Sequence, residues 1–546
     1  MNIIRIKIFL SKYKYQILLG VILTVGAFLR FWNLVSQGFF YPDEGQYLLS
    51  ASTLARVPAA LWEIIFLPMS QWSEALKIFF PAGFFEFLNA RPSFIVIDVI
   101  GMWILGVYEY TPAFVNAFFG VATIYLAYQI GRDNFKSVNV GLLAAALMAF
   151  SKFHVFYSRS GESHLASGFF LLLAIYFWLK ADEVGARRKK YLIFSGFSFG
   201  ILATTHYMNY MVMALAMMFG FIAMFRKDNR HRWQEFSWFV GSAIILPVFW
   251  LIVLWLKARL INSLGFFDSY ISLTYIGDIL ENYHEIGRVG HYNIFEAFWV
   301  YTPQIARVDG WFFAALFGIA PLLLIFKNYR RNFTYLFFTT LTFYPIIFVA
   351  LSPLPLLYTI ATYFTAAIVI ASFVAISLYK KFRTKTVKIA MVIIIAASIS
   401  SMLVSSSKLV DMHMPHAEVA KFMREINAKP EEIIAFSWEP YQFLLQAPIS
   451  SAGPETFKKG GFKYYISAPE DNWREMNTAP YSSYVRRHLK PLAEFKINYG
   501  GTFPELVNYM GIKSNDPKEL RDMENHKIFS AVQVYDISGI DFSKIK

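Results

Sequence analysis

The sequence predicts an α-helical membrane protein with about eleven transmembrane helices, amphipathic interface helices in the first outer loop and a small soluble α/β domain at the C-terminal end. Three observations predict this fold class: the composition, the regular spacing of apolar runs and a change of composition near residue 411. Of the 546 residues, 56% are hydrophobic and 16% are charged, and the mean hydropathy is +0.42. Soluble globular proteins are about 25% charged, so this chain needs lipid as part of its solvent.

The predicted spans are apolar runs near the length that a bilayer requires. A helix needs roughly 20 apolar residues to cross a hydrocarbon core of about 30 Å, where unpaired backbone groups find no partner. In the first outer loop, Phe94 to Val107 is too short to span and Ala59 to Phe80 alternates apolar and polar residues, so both are predicted to lie at the interface. The runs that meet the length requirement are residues 17–35, 109–130, 138–157, 162–180, 191–205, 207–225, 236–256, 309–326, 333–351, 357–378 and 388–407.

Lysine and arginine predict a cytoplasmic N-terminus, because positive residues next to helix ends resist translocation. The first long loop, about 36–108, the second, about 257–308, and everything after about residue 408 then lie on the opposite side. We therefore expect a multi-pass protein of the cell (inner) membrane with an extracytoplasmic C-terminal domain. The net charge of +14 could indicate a nucleic-acid partner, but most of it comes from basic clusters at the predicted cytoplasmic helix ends. Because membrane topology explains these clusters, no nucleic-acid partner is expected. These clusters lie within residues 5–14, 132–136, 187–190, 226–232, 327–331 and 380–388.

The chain is predicted to have two domains, a transmembrane domain over residues 1–408 and an extracytoplasmic α/β domain over residues 409–546. From Asp411 onward Pro, Lys, Glu and Asn are frequent, and apolar runs shorten to strand length. The chain contains no cysteine, which excludes disulfides, thiol nucleophiles and cysteine-ligated metals. The elements predicted in the second domain are a helix at 416–427 and strands at 432–438, 461–467 and 531–537.

Two adjacent carboxylates, Asp43 and Glu44, follow the first span where the chain leaves the lipid, in the sequence Tyr-Pro-Asp-Glu-Gly. Adjacent helical residues point in different directions, so at most one of the two faces a given substrate atom and acts as a base. Asp43 after Pro42 also fits the N-cap of a helix over 44–56. The sequence leaves both interpretations open.

Further polar residues gather on the same side of the membrane. Arg159 lies at the outer end of the third and fourth spans, and His206 lies between the fifth and sixth. Arg91 precedes a proline at the end of the first loop, and the second loop carries Arg288 and Tyr292. An arginine fork near the interface suits a phosphate, while packing and snorkelling to lipid are the other interpretations. No metal-ligand spacing occurs, so no metal or cofactor is assigned, and a divalent metal is left open.

Four segments resemble the GT-C glycosyltransferases, above all the protein O-mannosyltransferases and the lipid A aminoarabinose transferases. An Asp-Glu pair after the first span, an Arg-Pro turn ending the first loop and an outward C-terminal domain carry the resemblance. It covers about residues 15–225 and implies a GT-C-like transmembrane domain. The segments are YPDEGQYLLSA (41–51), NARPSFIVIDVIGMWILGVYEYTPAFVNAFFG (89–120), YSRSGESHLASGFFLLLA (157–174) and SGFSFGILATTHYMNY (195–210).

The resemblance implies transfer of a hexose or pentose from a polyprenyl-phosphate donor to a lipid, glycan or protein acceptor on the non-cytoplasmic side, without a nucleotide sugar. Asp43 matches the family's catalytic aspartate, which would act as general base in a single displacement with inversion. Arg91 matches the basic residue that binds the donor phosphate. Further candidates for substrate binding are Glu44, Glu86, Arg159, His206, Arg288 and Tyr292.

Three positions depart from the family pattern. Gln46 stands where the lipid A enzymes tend to have an arginine, so another of the candidate cations would have to supply that phosphate contact. Ala90 stands where a second loop carboxylate is usual, and the nearest acid is Glu86. The turn before Tyr358 lacks the basic residue often seen there.

Two other classes of function are compatible with the sequence. A lipid-linked sugar transporter or polymer exporter would also have many spans, but it needs polar residues near the bilayer midplane and on both sides. An inactive membrane scaffold would use the C-terminal domain to bind a partner. The concentration of polar residues on one face favours the glycosyltransferase, although the sequence names neither the sugar nor the acceptor.

Overall fold

The structure is a computed structural model, and it describes residues 3–40, 42–71, 91–183, 187–206, 209–225, 232–263, 305–306, 308–331, 333–350, 361–436, 438–468, 479–500 and 530–545. Three predicted site residues, Glu86, Arg288 and Tyr292, lie outside these ranges, as does the turn before Tyr358. The helices of the N-terminal part are α1 (Ile3–Phe31), α2 (Pro42–Ile65), α3 (Pro92–Leu105), α4 (Thr111–Asp133), α5 (Val138–Phe150), α6 (Lys152–Arg159), α7 (Ser163–Glu183), α8 (Arg188–Thr205), α9 (Tyr210–Phe225), α10 (Arg232–Ser263), α11 (Trp311–Leu322), α12 (Lys327–Arg331), α13 (Phe333–Ala350), α14 (Ala361–Lys381) and α15 (Lys385–Ser407).

The long apolar helices confirm a polytopic α-helical membrane protein. Within the described ranges, seven helices are long and apolar enough to cross a membrane, and the bent pair α5 and α6, which meet at 58°, would make eight. The apolar parts of α3, α9 and α11 have only 10–17 residues. A span of that length leaves part of a bilayer core of about 30 Å uncrossed, and the count of eleven spans is therefore not confirmed.

Helix α2 differs from what the sequence predicted. The expectation was a helix over 44–56 followed by an interface helix from Ala59, whereas the structure has one helix that continues through Pro58 to Ile65. A proline removes one backbone hydrogen bond, but a helix still satisfies the remaining groups where water is scarce. At 23 residues from Asp43 to Ile65, this helix is itself long enough to cross a membrane. Helix α3, with 14 residues, is shorter than a span, as expected.

The described residues from His416 to Asp536 form a small α/β unit, called the C-terminal domain below. Its elements are α16 (His416–Glu425), β1 (Ile433–Ala435), α17 (Trp438–Leu445), β2 (Ser450–Ser451), α18 (Pro454–Lys459), β3 (Tyr464–Ser467), α19 (Ala479–His488), β4 (Ala493–Lys496) and β5 (Ala531–Asp536). Within the described residues the sheet order is β2-β1-β3-β5-β4, with β1 parallel to its neighbours and β5 antiparallel to β3 and β4. The three strands predicted from the sequence are confirmed as β1, β3 and β5.

The side chain of Arg30, in α1, is fully buried at the C-terminal end of α5. It donates hydrogen bonds to the carbonyl oxygens of Met148 at 2.9 Å and Ala149 at 3.1 Å, which lie in a last turn that lacks intrahelical donors. His154 Nδ1 accepts a further bond at 2.8 Å. Gly120 leaves the necessary space, because a Cβ there would lie 2.8 Å from Arg30 Nε. Arg30 thus joins α1, α4, α5 and α6.

Arg159, in α6, caps the end of α1 in the same way. Its Nη1 donates to the carbonyl oxygens of Leu29 at 3.2 Å and Trp32 at 2.8 Å, and its Nε donates to Gln37 Oε1 at 2.9 Å. The side chain is fully buried. A cation is favourable at this position, because the last carbonyls of a helix carry partial negative charge.

The linker between α1 and α2 lies between the helical bundle and the C-terminal domain. The backbone N–H of Met414 donates to the carbonyl oxygen of Gln37 at 2.7 Å, and His413 Nδ1 donates to the carbonyl oxygen of Ser36 at 2.6 Å. On the bundle side, the Gln37 amide donates to the carbonyl oxygen of Arg159 at 2.7 Å. The chain therefore enters α2 with its backbone held from both sides.

Arg30 provides a test of this packing. Replacement by methionine (R30M) leaves buried carbonyl groups without their donor, so the free energy of unfolding should fall by about 3 kcal/mol and the unfolding midpoint with it. The midpoint is measured by tryptophan fluorescence of the purified protein in detergent. R383M, at an exposed arginine, is the matched control and should change the free energy by less than about 0.5 kcal/mol. Equal midpoints for the two variants would contradict the capping role.

Candidate active site

Asp43 lies in the first turn of α2, which begins one residue earlier, at Pro42. Its Oδ2 accepts a hydrogen bond from the Tyr47 hydroxyl at 3.2 Å, one helical turn along, and from Arg91 Nη2 at 3.4 Å. The side chain of Asp43 is 24% exposed, whereas that of Arg91 is 9% exposed. Asp43 is therefore oriented by two fixed donors and still accessible to a reactant.

Glu44 points away from Asp43, as adjacent positions of a helix require. Its Oε1 accepts from the backbone N–H of Phe40 at 3.2 Å, and its Oε2 accepts from the backbone N–H of Gly161 at 2.9 Å. The residue is 3% exposed. Both oxygens thus contact backbone donors, and Glu44 ties the start of α2 to the turn between α6 and α7.

Arg91 is the residue around which the other candidates gather. It precedes α3, and its guanidinium lies between Asp43 and Glu162, with Nη1 3.7 Å from Glu162 Oε2. Nη2 also donates to His206 Nε2 at 3.2 Å, and Cζ lies 4.5 Å from the centroid of the Tyr47 ring. Within the described residues, its buried Nε and Nη1 have no hydrogen-bond partner. The cation is therefore held by Asp43, Glu162 and His206, while two of its nitrogens make no hydrogen bond in the described part of the chain.

Glu162 was not singled out by the sequence, although it is the acid of the polar run at 157–164. The turn between α6 and α7 presents it, and Asn116 Nδ2 fixes this turn by donating to the carbonyl oxygens of Ser160 at 2.7 Å and Glu162 at 2.8 Å. Burial, and then the negative charge of Asp43, raises the pKa of Glu162 well above its usual value, and the nearby Arg91 opposes this. The sequence did contain a signal for this residue: Glu162 is the one acidic residue in the polar run 157–164 between two predicted spans.

His206 ends α8 and is buried beside Arg91. Burial, and then the charge of Arg91, lowers the pKa of His206 well below its usual value, so the ring is neutral at pH 7 and can accept from the guanidinium. The His164 ring lies 4.9 Å from that of His206, centroid to centroid. The structure thus brings together Asp43, Arg91 and His206, three of the candidates that the sequence analysis named.

The C-terminal domain contributes Glu439, which the sequence did not suggest. Glu439 is in α17, and its carboxylate accepts a hydrogen bond from the Gln46 amide in α2. The residue is 2% exposed. Burial, opposed by the Gln46 bond and reinforced by the charge of Asp43, raises the pKa of Glu439 to about 7. Gln46, which stands in place of an expected arginine, thus contacts a carboxylate.

The remaining candidates are not part of this cluster. Arg159 contacts backbone carbonyl oxygens at the end of α1 rather than Arg91 or Asp43. Glu86, Arg288 and Tyr292 are outside the described residues. In the part of the chain that the structure describes, no group of three or more histidine or acidic side chains is arranged to hold a metal ion.

Comparisons with known proteins were made for both sequence and structure. Residues 92–255 match the sequence model of the dolichyl-phosphate-mannose-protein mannosyltransferase family. Comparison with curated protein sequences gives no significant match.

Three of the solved structures that match this chain are similar to it over most of its length. ArnT from Cupriavidus metallidurans in the apo state has a TM-score of 0.55 and 12% identity, covering 97% of this chain and 99% of that one. The same protein bound to undecaprenyl phosphate gives 0.56 and 12%, covering 96% and 99%. The archaeal oligosaccharyltransferase AglB from Archaeoglobus fulgidus, in complex with an inhibitory peptide and a dolichol-phosphate, gives 0.52 and 13%, covering 89% and 73%. The resemblance expected from the sequence is therefore confirmed, and the chain is a multi-pass membrane protein with the fold of the GT-C glycosyltransferases.

Proposed function

We propose that this protein transfers a hexose or pentose from a polyprenyl-phosphate donor to an acceptor on the non-cytoplasmic side of the membrane, with inversion at the anomeric carbon. The observation that carries the proposal is the buried Arg91, whose Nε and Nη1 have no hydrogen-bond partner within the described residues, beside the partly exposed carboxylate of Asp43. Two of the similar solved structures support the donor class, since one is bound to undecaprenyl phosphate and the other is in complex with a dolichol-phosphate.

Arg91 is proposed to bind the phosphate of the donor. A guanidinium offers paired, charge-assisted hydrogen bonds that match phosphate oxygens, and they are strongest where water is excluded. Glu162 on one side and Asp43 on the other hold the side chain at 3.7 and 3.4 Å. This arrangement orients the guanidinium before the donor arrives. The same charge would stabilise the phosphate as it leaves.

Asp43 is proposed to act as the general base. It would take the proton from the acceptor hydroxyl or amine while the acceptor atom forms a bond to the anomeric carbon. The bond from that carbon to the phosphate oxygen breaks on the opposite face, and the electron pair leaves with the polyprenyl phosphate. General-base catalysis typically contributes 10² to 10⁴ in rate. One displacement on the opposite face inverts the anomeric centre.

The other predicted substrate-binding residues receive different roles in this proposal. His206 keeps Nη2 of Arg91 in place by accepting its hydrogen bond at 3.2 Å. Glu44 and Arg159 hold the helices that carry the site, because each bonds backbone groups. Glu86, Arg288 and Tyr292 stay predictions from the sequence.

The base is tested by the variant D43N, which keeps the shape of the side chain and removes its charge. Sugar transfer should fall by at least about 10²-fold, because the acceptor proton has no base to take it. Transfer is measured in membranes with a panel of labelled polyprenyl-phosphate hexoses and pentoses. E63Q removes an exposed carboxylate from the same helix and should transfer like the wild type. Wild-type turnover in D43N would remove the base assignment.

The phosphate site is tested by R91K, which keeps the charge but loses the planar fork, and by R91M, which loses both. The dissociation constant for undecaprenyl phosphate should rise on the order of 10²-fold in R91M, because about two charge-assisted hydrogen bonds are lost. The rise should be smaller in R91K, because the charge remains. Binding is measured in nanodiscs by thermophoresis. R56M, at an exposed arginine of α2, is the control. If R91M binds the lipid as tightly as R56M does, the phosphate assignment is wrong.

The orientation in the membrane is tested by cysteine labelling, which is simple because the chain has no cysteine of its own. K421C places a thiol on α16, where the lysine side chain is 76% exposed. A membrane-impermeant maleimide should label it in intact cells. K381C, in a basic cluster at the end of α14, should react only after permeabilisation. The reverse pattern would contradict an extracytoplasmic C-terminal domain.

A further inference from the structure

Helix α17 of the C-terminal domain packs directly on the first turn of α2. At Gly45, an added Cβ would lie 2.6 Å from Pro440 Cδ and 2.9 Å from Pro440 Cγ and N. Even an alanine at this position would force the two helices apart, since real Cβ contacts are longer than this. One residue later, the Gln46 amide donates to the Glu439 carboxylate.

These contacts fall on the turn that carries Asp43. Gln46 is three positions after Asp43, so the two side chains are neighbours on one face of the helix. Gln46 and Glu439 are separated by 393 positions in the sequence, and the contact between them therefore joins distant parts of the chain. A small rotation of this turn would redirect the carboxylate of Asp43.

The C-terminal domain also contacts the chain just before this turn. The Phe39 ring lies 5.4 Å from the His416 ring, and the His416 ring lies 5.4 Å from that of Tyr441 in α17. Phe39, His416 and Tyr441 are all buried. A continuous row of contacts thus runs from the linker, through the domain, to the helix that packs on Gly45.

We propose that α17 is a positioning element of the transferase site, in which Glu439 and Pro440 fix the first turn of α2 and so the direction of the Asp43 carboxylate. This inference rests on the proposed function for the role of Asp43. The bundle holds the turn from the other side, through Glu44 and the backbone N–H of Gly161 at 2.9 Å. Positioning of this kind contributes to rate, because a misplacement of about 1 Å can cost 10²-fold.

The test compares variants of the full-length protein in nanodiscs. E439A removes the acceptor of the Gln46 hydrogen bond, whereas E439Q retains an oxygen that can accept it. We expect kcat to fall by about tenfold or more in E439A, with the donor KM within about twofold, and E439Q to stay within about threefold of the wild type. E455A, at an exposed glutamate of the same domain, is the control. Equal losses in E439Q and E439A would overturn the positioning role.

The packing of Gly45 on Pro440 is tested by a second-site rescue. G45A should lower kcat on the order of 10²-fold. The double variant G45A/P440A removes the ring atoms Cγ and Cδ that a Cβ at residue 45 would meet, and should recover at least part of this loss. Recovery in the double variant would assign the loss to the contact with Pro440 rather than to an effect of alanine within α2 alone. A double variant no more active than G45A would overturn the proposal.

Hydrogen exchange gives a readout that does not depend on turnover. Backbone amides of residues 43–47 should exchange faster in E439A and G45A than in the wild type, E439Q and E455A, because their turn has lost its support. The wild type could transfer no sugar from any donor while hydrogen exchange at residues 43–47 still changes as expected. The proposed function would then be wrong, but the support of the first turn of α2 by α17 would be confirmed. Unchanged exchange in both variants would overturn the positioning role whatever the activity.

Discussion

The structure depends most on the pairing of one buried cation, Arg91. A charge removed from water is very unfavourable unless charged and polar partners surround it. The carboxyl groups of Asp43 and Glu162 lie on either side at 3.4 and 3.7 Å, and His206 accepts one hydrogen bond. These partners come from α2, the turn between α6 and α7, and the end of α8. The need to neutralise one guanidinium therefore fixes four parts of the bundle relative to each other.

The three buried arginines of the described bundle have different chemical environments. Arg30 and Arg159 direct their donors at backbone carbonyl oxygens where helices end, which stabilises helix packing. Arg91 instead has carboxylates at 3.4 and 3.7 Å, while its Nε and Nη1 have no hydrogen-bond partner within the described residues. The two arginines that hold helix ends therefore differ from Arg91 in their hydrogen bonding, and this difference is the basis for the phosphate-binding role proposed for Arg91.

Much of the fold and part of the site could be predicted from the sequence, because hydropathy, charge bias and helical spacing are local properties. Asp43 and Arg91 stand in two short segments, 41–51 and 89–120, that carry the family resemblance. The structural role of Arg159 could not be foreseen, since its partners are backbone carbonyls of a helix far away in the sequence. Glu439 was missed for a related reason: its partner lies 393 positions earlier, and no local pattern marks the pair. Helix α2 was predicted too short because Pro58 lies inside it.

The position of the first linker between the bundle and the C-terminal domain has a consequence for biosynthesis. Its backbone bonds to His413 and Met414 join groups about 377 positions apart in the chain. Asp43 and the helices around it are therefore translated and inserted into the membrane long before His413 and Met414 have been made. The nascent protein therefore resides in the membrane with the linker before α2 bound on its bundle side only, until the last domain has been made and packs against it.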